Sequence, residues 1–369
     1  MSVFEENFNN QQENFEEQYN YDDNITDFNF INERELTKLD LDIANINQES
    51  LRSFNENLKI NTTLLSLKIY CSDDYFFDGD IFKKVIEYLS EFLKVNNILT
   101  VLDLSYNDIT FNRTFNRTYD NPFILLCDAL KVNTNLTVLN LNRTELQNRG
   151  LIYLSEALQN NKSLTELYLK GNRQTEKDYR EQEGYYNEDY GDDYDNIGFC
   201  YGIRSLSNVL KNNVSLTKID LGNNYIYKND VNYLWKALLS NTTLTSLNLD
   251  NNKIGEEIEE DDLIENITLG DVLKVNSILT EISLSWNYLN NDDIKDICEG
   301  LRANTSLNSL SLSNNEIDDE GINYINEVLK VNKTLNTLNL KRNHISNITK
   351  QSLFDTLKNN TSLIELDLD

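Results

Sequence analysis

The pattern L-x-x-L-x-L recurs eleven times in this chain, with its leading Leu at 36, 64, 99, 136, 164, 216, 244, 279, 307, 335 and 363. Six of the ten intervals are 28 residues, and the other four are 28 residues lengthened by 7, 9, 24 and 7. A fixed period of this length constrains the fold more than any compositional feature: one supersecondary unit is copied along the chain, and each copy buries its apolar faces only against its neighbours.

The unit reads L-x-x-L-x-L-x-x-N-x-I/L, then a loop, an apolar helix and an Asn three residues before the next Leu. Leu307, Leu310, Leu312, Asn315 and Ile317 begin one copy, and Ile322, Ile325, Val328, Leu329 and Asn332 complete it. Buried residues at the fourth and sixth positions alternate as in a short strand, while the second set is spaced for one helix face. The expectation is an α/β solenoid of about ten full repeats and a final strand, with a parallel concave sheet and convex helices. Two Asn columns accompany the Leu columns. The ninth-position Asn (107, 172, 224, 252, 287, 315, 343, with Thr144 the main interior exception) sits where the chain bends and its amide can satisfy backbone groups of adjacent turns. The column at 61, 96, 133, 161, 213, 241, 276, 304, 332 and 360 follows each helix, where Asn is expected to take the left-handed conformation that ends helices.

That second column creates N-x-S/T sequons at Asn61, Asn161, Asn213, Asn241, Asn304, Asn332 and Asn360. Their identical place in each repeat makes them structural rather than glycan acceptors. The first residues show no basic or apolar segment of a secretory signal, and no stretch has the roughly 18 apolar residues of a membrane helix. The expected location is therefore intracellular and cytoplasmic, with the nucleus left open. Cys71, Cys127, Cys200 and Cys298 lack C-x-x-C spacing, and His344 is the only histidine, so no metal site, cofactor or catalytic base is expected.

On these residues the repeat resembles the ribonuclease-inhibitor-like class of leucine-rich repeats, shared by ribonuclease inhibitors, the Ran GTPase-activating protein, tropomodulin and the arrays of NOD-like receptors. The resemblance rests on core and turn positions such as Leu102, Leu104 and Asn107 or Leu338, Leu340 and Asn343. It implies a right-handed horseshoe and carries no activity with it. Unlike the ribonuclease inhibitors, this chain is neither Cys-rich nor alternating in repeat length.

The net charge of −28 is concentrated. Residues 1–35, 174–197 and 256–265 carry −9, −7 and −7, whereas the other 300 residues hold 35 acids against 30 bases. Residues 1–35 read as an acidic Asn/Gln-rich tail or N-terminal cap, and 36–369 as the repeat domain. Insertions near 71–80, 110–121, 174–197 and 255–265 all enter between the ladder Asn and the helix, along one rim, and insertions confined to one face mark a binding face. This field disfavours nucleic acid and anionic membranes and favours a basic protein partner.

The expected function is a protein-interaction scaffold rather than an enzyme. Candidate anchors are Tyr70 and Tyr168 on the sheet and Tyr106 and Trp286 at the eighth position, on the rim, because interface energy concentrates in aromatic and Arg side chains. Asp103 and Asp220 stand in the fifth-position column, expected to face solvent, and Arg113 and Arg117 lie in a tandem TFNR duplication in the second insertion. An exposed Arg would suit the alternative of a GTPase-activating protein of the Ran type. A further alternative is an inhibitor of a basic enzyme such as a ribonuclease. The final strand, Leu363 to Leu368, offers an unpaired edge through which copies of the chain could associate.

Overall fold

A computed structural model describes residues 28–33, 35–44, 46–72, 79–109, 121–172, 200–256 and 266–369. The chain divides into two compact units, Met1–Gln174 and Thr175–Asp369. Arg113, Arg117 and the Tyr-rich stretch of residues 174–197 lie outside the described residues, as do Phe4, Phe8, Phe15 and Tyr19 of the acidic tail.

The first unit runs α1 (Phe30–Glu33), β1 (Lys38–Asp42), α2 (Gln48–Ile60), β2 (Ser66–Tyr70), α3 (Gly79–Val95), β3 (Val101–Asp103), α4 (Pro122–Val132), β4 (Val138–Asn140), α5 (Gln147–Leu158) and β5 (Glu166–Tyr168). Its strands pair in parallel, in chain order, with Leu39, Leu67, Leu102, Leu139 and Leu167 in register. The second unit runs α6 (Cys200–Leu210), β6 (Lys218–Asp220), α7 (Lys228–Leu238), β7 (Ser246–Asn248), α8 (Leu269–Val275), β8 (Glu281–Ser283), α9 (Asn291–Leu301), β9 (Ser309–Ser311), α10 (Asp319–Leu329), β10 (Thr337–Asn339), α11 (Asn347–Leu357) and β11 (Glu365–Asp367). Here Ile219, Leu247, Ile282, Leu310, Leu338 and Leu366 align. This is the expected α/β leucine-rich repeat solenoid, with one strand and one helix per repeat.

The pattern builds the core as its periodicity requires. First-, fourth- and sixth-position residues such as Leu99, Leu102 and Leu104 are fully buried, as are Leu244, Leu247 and Leu249. Against them pack helix faces such as Phe123, Leu126, Cys127 and Leu130 of α4 and Ile322, Ile325, Val328 and Leu329 of α10. Helix starts are fixed locally by side-chain caps: Asn47 before α2, Asn121 followed by Pro122 at α4, and a capping box of Asn290 with Asp293 at α9. At Gly300 the α8 backbone comes so close that a Cβ would lie 2.5 Å from the Gly270 carbonyl oxygen. In the first unit, α1 packs against the first repeat. Phe28 and Ile31 are fully buried, with the Phe28 ring 5.3 Å from Phe54 of α2.

The ninth-position Asn residues serve as expected. Asn315 donates through Nδ2 to the Leu284 and Leu312 carbonyls, 3.0 Å each, and accepts from the Asn287 and Leu289 amides at 2.9 and 3.1 Å. Thr144, in that column, substitutes its hydroxyl, donating to Leu141 O and to Asn172 Oδ1.

The post-helix Asn column has a different basis from the one expected. Asn61, Asn133 and Asn276 have φ of −71°, −69° and −77° with ψ of 133°, 132° and 121°, which is extended rather than left-handed backbone. The amide explains the preference instead. Asn304 Nδ2 donates back to Leu273 O and Asn276 O of the preceding repeat, while Oδ1 accepts from the Ser306 and Leu307 amides that open the next strand. Six of the seven sequon Asn residues, Asn61 through Asn332, are buried by this arrangement, and Asn360 at the last turn is half-buried.

Candidate protein-binding surface

Each strand from β3 to β10 leaves the sheet through a turn whose eighth position lies in the left-handed region. From β3 onward the residues there are Tyr106, Arg143, Gly171, Asn223, Asn251, Trp286, Asn314 and Arg342, with φ between 53° and 70°. The backbone cause is visible in the ladder. The eighth-position amide donates to the seventh-position carbonyl of the next repeat: Tyr106 to Asn142 at 2.8 Å, Arg143 to Lys170 at 2.8 Å and Trp286 to Ser313 at 2.9 Å. Gly and Asn tolerate this conformation, but a larger side chain costs about 1–2 kcal/mol there. Four of the eight positions nevertheless hold Tyr, Arg or Trp, and each of those side chains is exposed.

In the first unit, Tyr106 is 66% exposed and the Arg143 guanidinium carbon lies 5.3 Å from its ring centre. In the second, Trp286 is 52% exposed, and Tyr288, two residues on and also at positive φ, is 48% exposed. Tyr70 is half-buried, with Lys68 Nζ 5.4 Å from its ring. Burial, followed by the negative charges of Asp42 and Asp40, raises its phenol above the ordinary tyrosine range.

The fifth-position column departs from the solvent-facing role expected of it. Tyr168 is 2% exposed, its hydroxyl donating to Glu166 Oε2 at 2.6 Å, so it is not an exposed anchor. Asp103 and Asp220 are also buried. The physical reason is a turn: the fifth-position side chain accepts from the backbone amide two residues on, Asp103 from Ser105, Asn140 from Asn142, Asp220 from Gly222 and Asn248 from Asp250. These are Asx-turns that end β3, β4, β6 and β7, and they draw the carboxylate or amide back against the sheet. Burial raises the Asp103 carboxyl above the usual carboxylate range, against the opposing pull of its Ser105 hydrogen bonds and of Lys68.

The serines of the second unit are likewise engaged. The Ser283 hydroxyl donates to Asp250 Oδ1, which also accepts the Ser285 amide at 2.8 Å, and the Ser285 and Ser311 hydroxyls share a 2.7 Å hydrogen bond. Burial holds the Cys298 and Cys127 thiols protonated: Cys298 is pushed up to about 12 and Cys127 well above its ordinary value. His344 is exposed on its turn, its amide donating to Ile317 O. Among the described residues no group of three or more His, Cys, Asp or Glu side chains is arranged to hold a metal ion, and no helix is long and apolar enough to cross a membrane.

The sequence reading singled out Tyr106 and Trp286, which are exposed, and did not single out the exposed Arg143, Arg342 and Tyr288. Arg143 and Arg342 share the eighth-position column with Gly171 and three Asn, whereas Tyr288 lies two residues beyond it.

A model of the leucine-rich repeat matches residues 95–110, 132–155, 240–258 and 303–325. Among solved structures, the chain is similar to the leiomodin-1 actin-binding site 2 at 24% identity, covering 37% of this chain and 76% of that one with a TM-score of 0.32. It is also similar to an internalin (inlF) from Listeria monocytogenes at 17% identity, covering 91% and 88% with a TM-score of 0.43. A search of curated proteins found no match. The Leu columns, the Asn ladders and the parallel strand register all follow one period, and the chain is built of leucine-rich repeats, which the model matches at four places.

Proposed function

We propose that this protein is a cytoplasmic protein-interaction scaffold without catalysis of its own, of the ribonuclease-inhibitor-like repeat class, which grips its partner with eighth-position side chains along the rim. The observation that carries this reading is the retention of Tyr106, Arg143, Trp286 and Arg342 at left-handed positions, where Asn serves three other repeats. Backbone strain kept in place to present exposed Tyr, Trp and Arg is what a recognition surface needs, since these are the residue types that dominate binding energy. The polar groups of the sheet, by contrast, are engaged in turns.

The partner is a basic protein, steered by the acidic segments at 174–197 and 256–265. Steering and holding separate kinetically. With a partner isolated by affinity capture, replacing the acids between Glu256 and Glu265 by Gln slows association several-fold at low salt and little at high salt. Trp286→Asn keeps a residue suited to the backbone and speeds dissociation by an amount worth about 2 kcal/mol. If the Trp286→Asn and Tyr106→Asn variants hold the partner as tightly as the original chain, the eighth-position column is not the binding surface.

A further inference from the structure

We infer that Tyr106 and Arg143 together form a receptor for a single carboxylate of a partner protein, a Glu, Asp or C-terminal group on its surface. This deepens the scaffold reading and rests on it. It places one positive charge on the surface of a strongly acidic protein, so that the partner face carries an acidic point among its basic groups.

The two side chains come from adjacent repeats whose spacing is fixed by the ladder, Tyr106 N to Asn142 O at 2.8 Å and Arg143 N to Lys170 O at 2.8 Å. Their backbones stand at φ 63° and 53°. The guanidinium lies 5.3 Å from the Tyr106 ring centre, with the ring itself 66% exposed. Among the described residues Arg143 makes no ion pair, while most exposed helix lysines do: Lys94 with Glu91, Lys131 with Asp128 and Lys330 with Glu327.

A guanidinium beside an aromatic ring is partly ordered before binding, and its edge keeps N–H donors in the fork that matches a carboxylate. Two carboxylates of the adjoining strands are engaged elsewhere: Asp103 in its own Asx-turn, and Glu166 as acceptor of the Tyr168 hydroxyl. One fixed positive charge suits a monoanion. Phosphate groups are bound by clusters of Arg, and the adjoining eighth position in this unit is Gly171.

The test uses the full chain and an acetylated, amidated hexaglutamate peptide at constant ionic strength. NMR follows the Arg143 Nε–Hε resonance and the Tyr106 amide. Both should shift saturably with hexaglutamate and remain unmoved by hexalysine or by matched sodium chloride. Arg143→Lys should weaken binding by at least about fivefold, because it keeps the charge and loses the planar fork. Arg143→Asn should abolish the Tyr106 response while melting at no lower a temperature, Asn being the residue of three sister turns. The proposal is overturned if neither resonance shifts, if Arg143→Lys binds as well as Arg, or if inorganic phosphate binds more tightly than hexaglutamate. Because the probe needs no natural partner, its failure leaves the captured-partner experiment standing, and the reverse failure does not explain a saturable response here.

Discussion

Replacing Asn304 separates two explanations for the column that follows every helix. Its side chain makes four hydrogen bonds to the backbone at a site 5% exposed: Nδ2 to Leu273 O at 2.9 Å and Asn276 O at 3.1 Å, and Oδ1 from Ser306 N at 3.0 Å and Leu307 N at 2.8 Å. At a net worth of about 1 kcal/mol each, Asn304→Ala should cost about 3–4 kcal/mol, with the buried Leu307 amide left unpaired. Asn304→Gly should cost at least as much, since it loses the same bonds and adds about 1 kcal/mol of backbone entropy. Asn304→Asp keeps the two accepting bonds but aims an oxygen at two carbonyls. Its carboxyl should therefore titrate above the usual range in the folded chain, and stability should fall as pH rises through that window. Urea denaturation at pH 4 and pH 7 reads all three variants. If Asn304→Gly is as stable as the original chain, or Asn304→Asp loses under about 1 kcal/mol at pH 7, the four-bond account fails and left-handed tolerance regains the explanation.

Three other outcomes follow from the same geometry. Leu249→Ala, fully buried in β7's repeat with neighbours on both sides, should cost about 2–5 kcal/mol in denaturant, and Leu368→Ala, half-buried beside β11, should cost distinctly less. Asp103→Asn should raise the melting temperature at pH 7, since burial lifts the Asp103 carboxyl and its ionisation opposes folding; the gain should shrink as pH falls toward the ordinary carboxylate range, and a loss of stability at pH 7 would refute it. Ile364, 85% exposed, together with the half-buried Leu366 and Leu368, should drive concentration-dependent association of this 369-residue chain, and Ile364→Lys should reduce it in light scattering.

The architecture was legible because the period is carried by residues whose burial is obligatory. Leu102, Leu139 and Leu310 announce their own register, and the ladder Asn residues announce their turns. What escaped reading was decided by local backbone competition. Nothing in the identity of Asp103 or Tyr168 distinguishes a side chain pointing to solvent from one folded back against its own strand, and the i+2 amide settles the matter for Asp103. The same holds for Thr100 and Thr137, whose second-position hydroxyls donate to carbonyls of the preceding repeat, Leu65 and Thr100, at 3.1 Å. A Thr column at the start of a strand looks merely β-prone. For the candidate surface, aromatic residues were legible as types, but the strain that singles out Arg143 beside Tyr106 exists only once φ is known.

The Asn ladder also sets what lengths of chain this protein tolerates. Asn161 reaches Leu130 O across 31 residues at 2.8 Å, and Asn133 reaches Leu93 O at the same 2.8 Å across 40. Asn276 spans 38 residues to Leu238 O, again at 2.8 Å. Seven or nine additional residues therefore pass through the interval without altering the bond that spans it, and each doubling of a flexible loop adds only about 0.6 kcal/mol of closure entropy. The intervals after the ninth-position turns act as splice ports: chain length can change there while the repeats on either side keep their register and the Asn that bridges them keeps its bond.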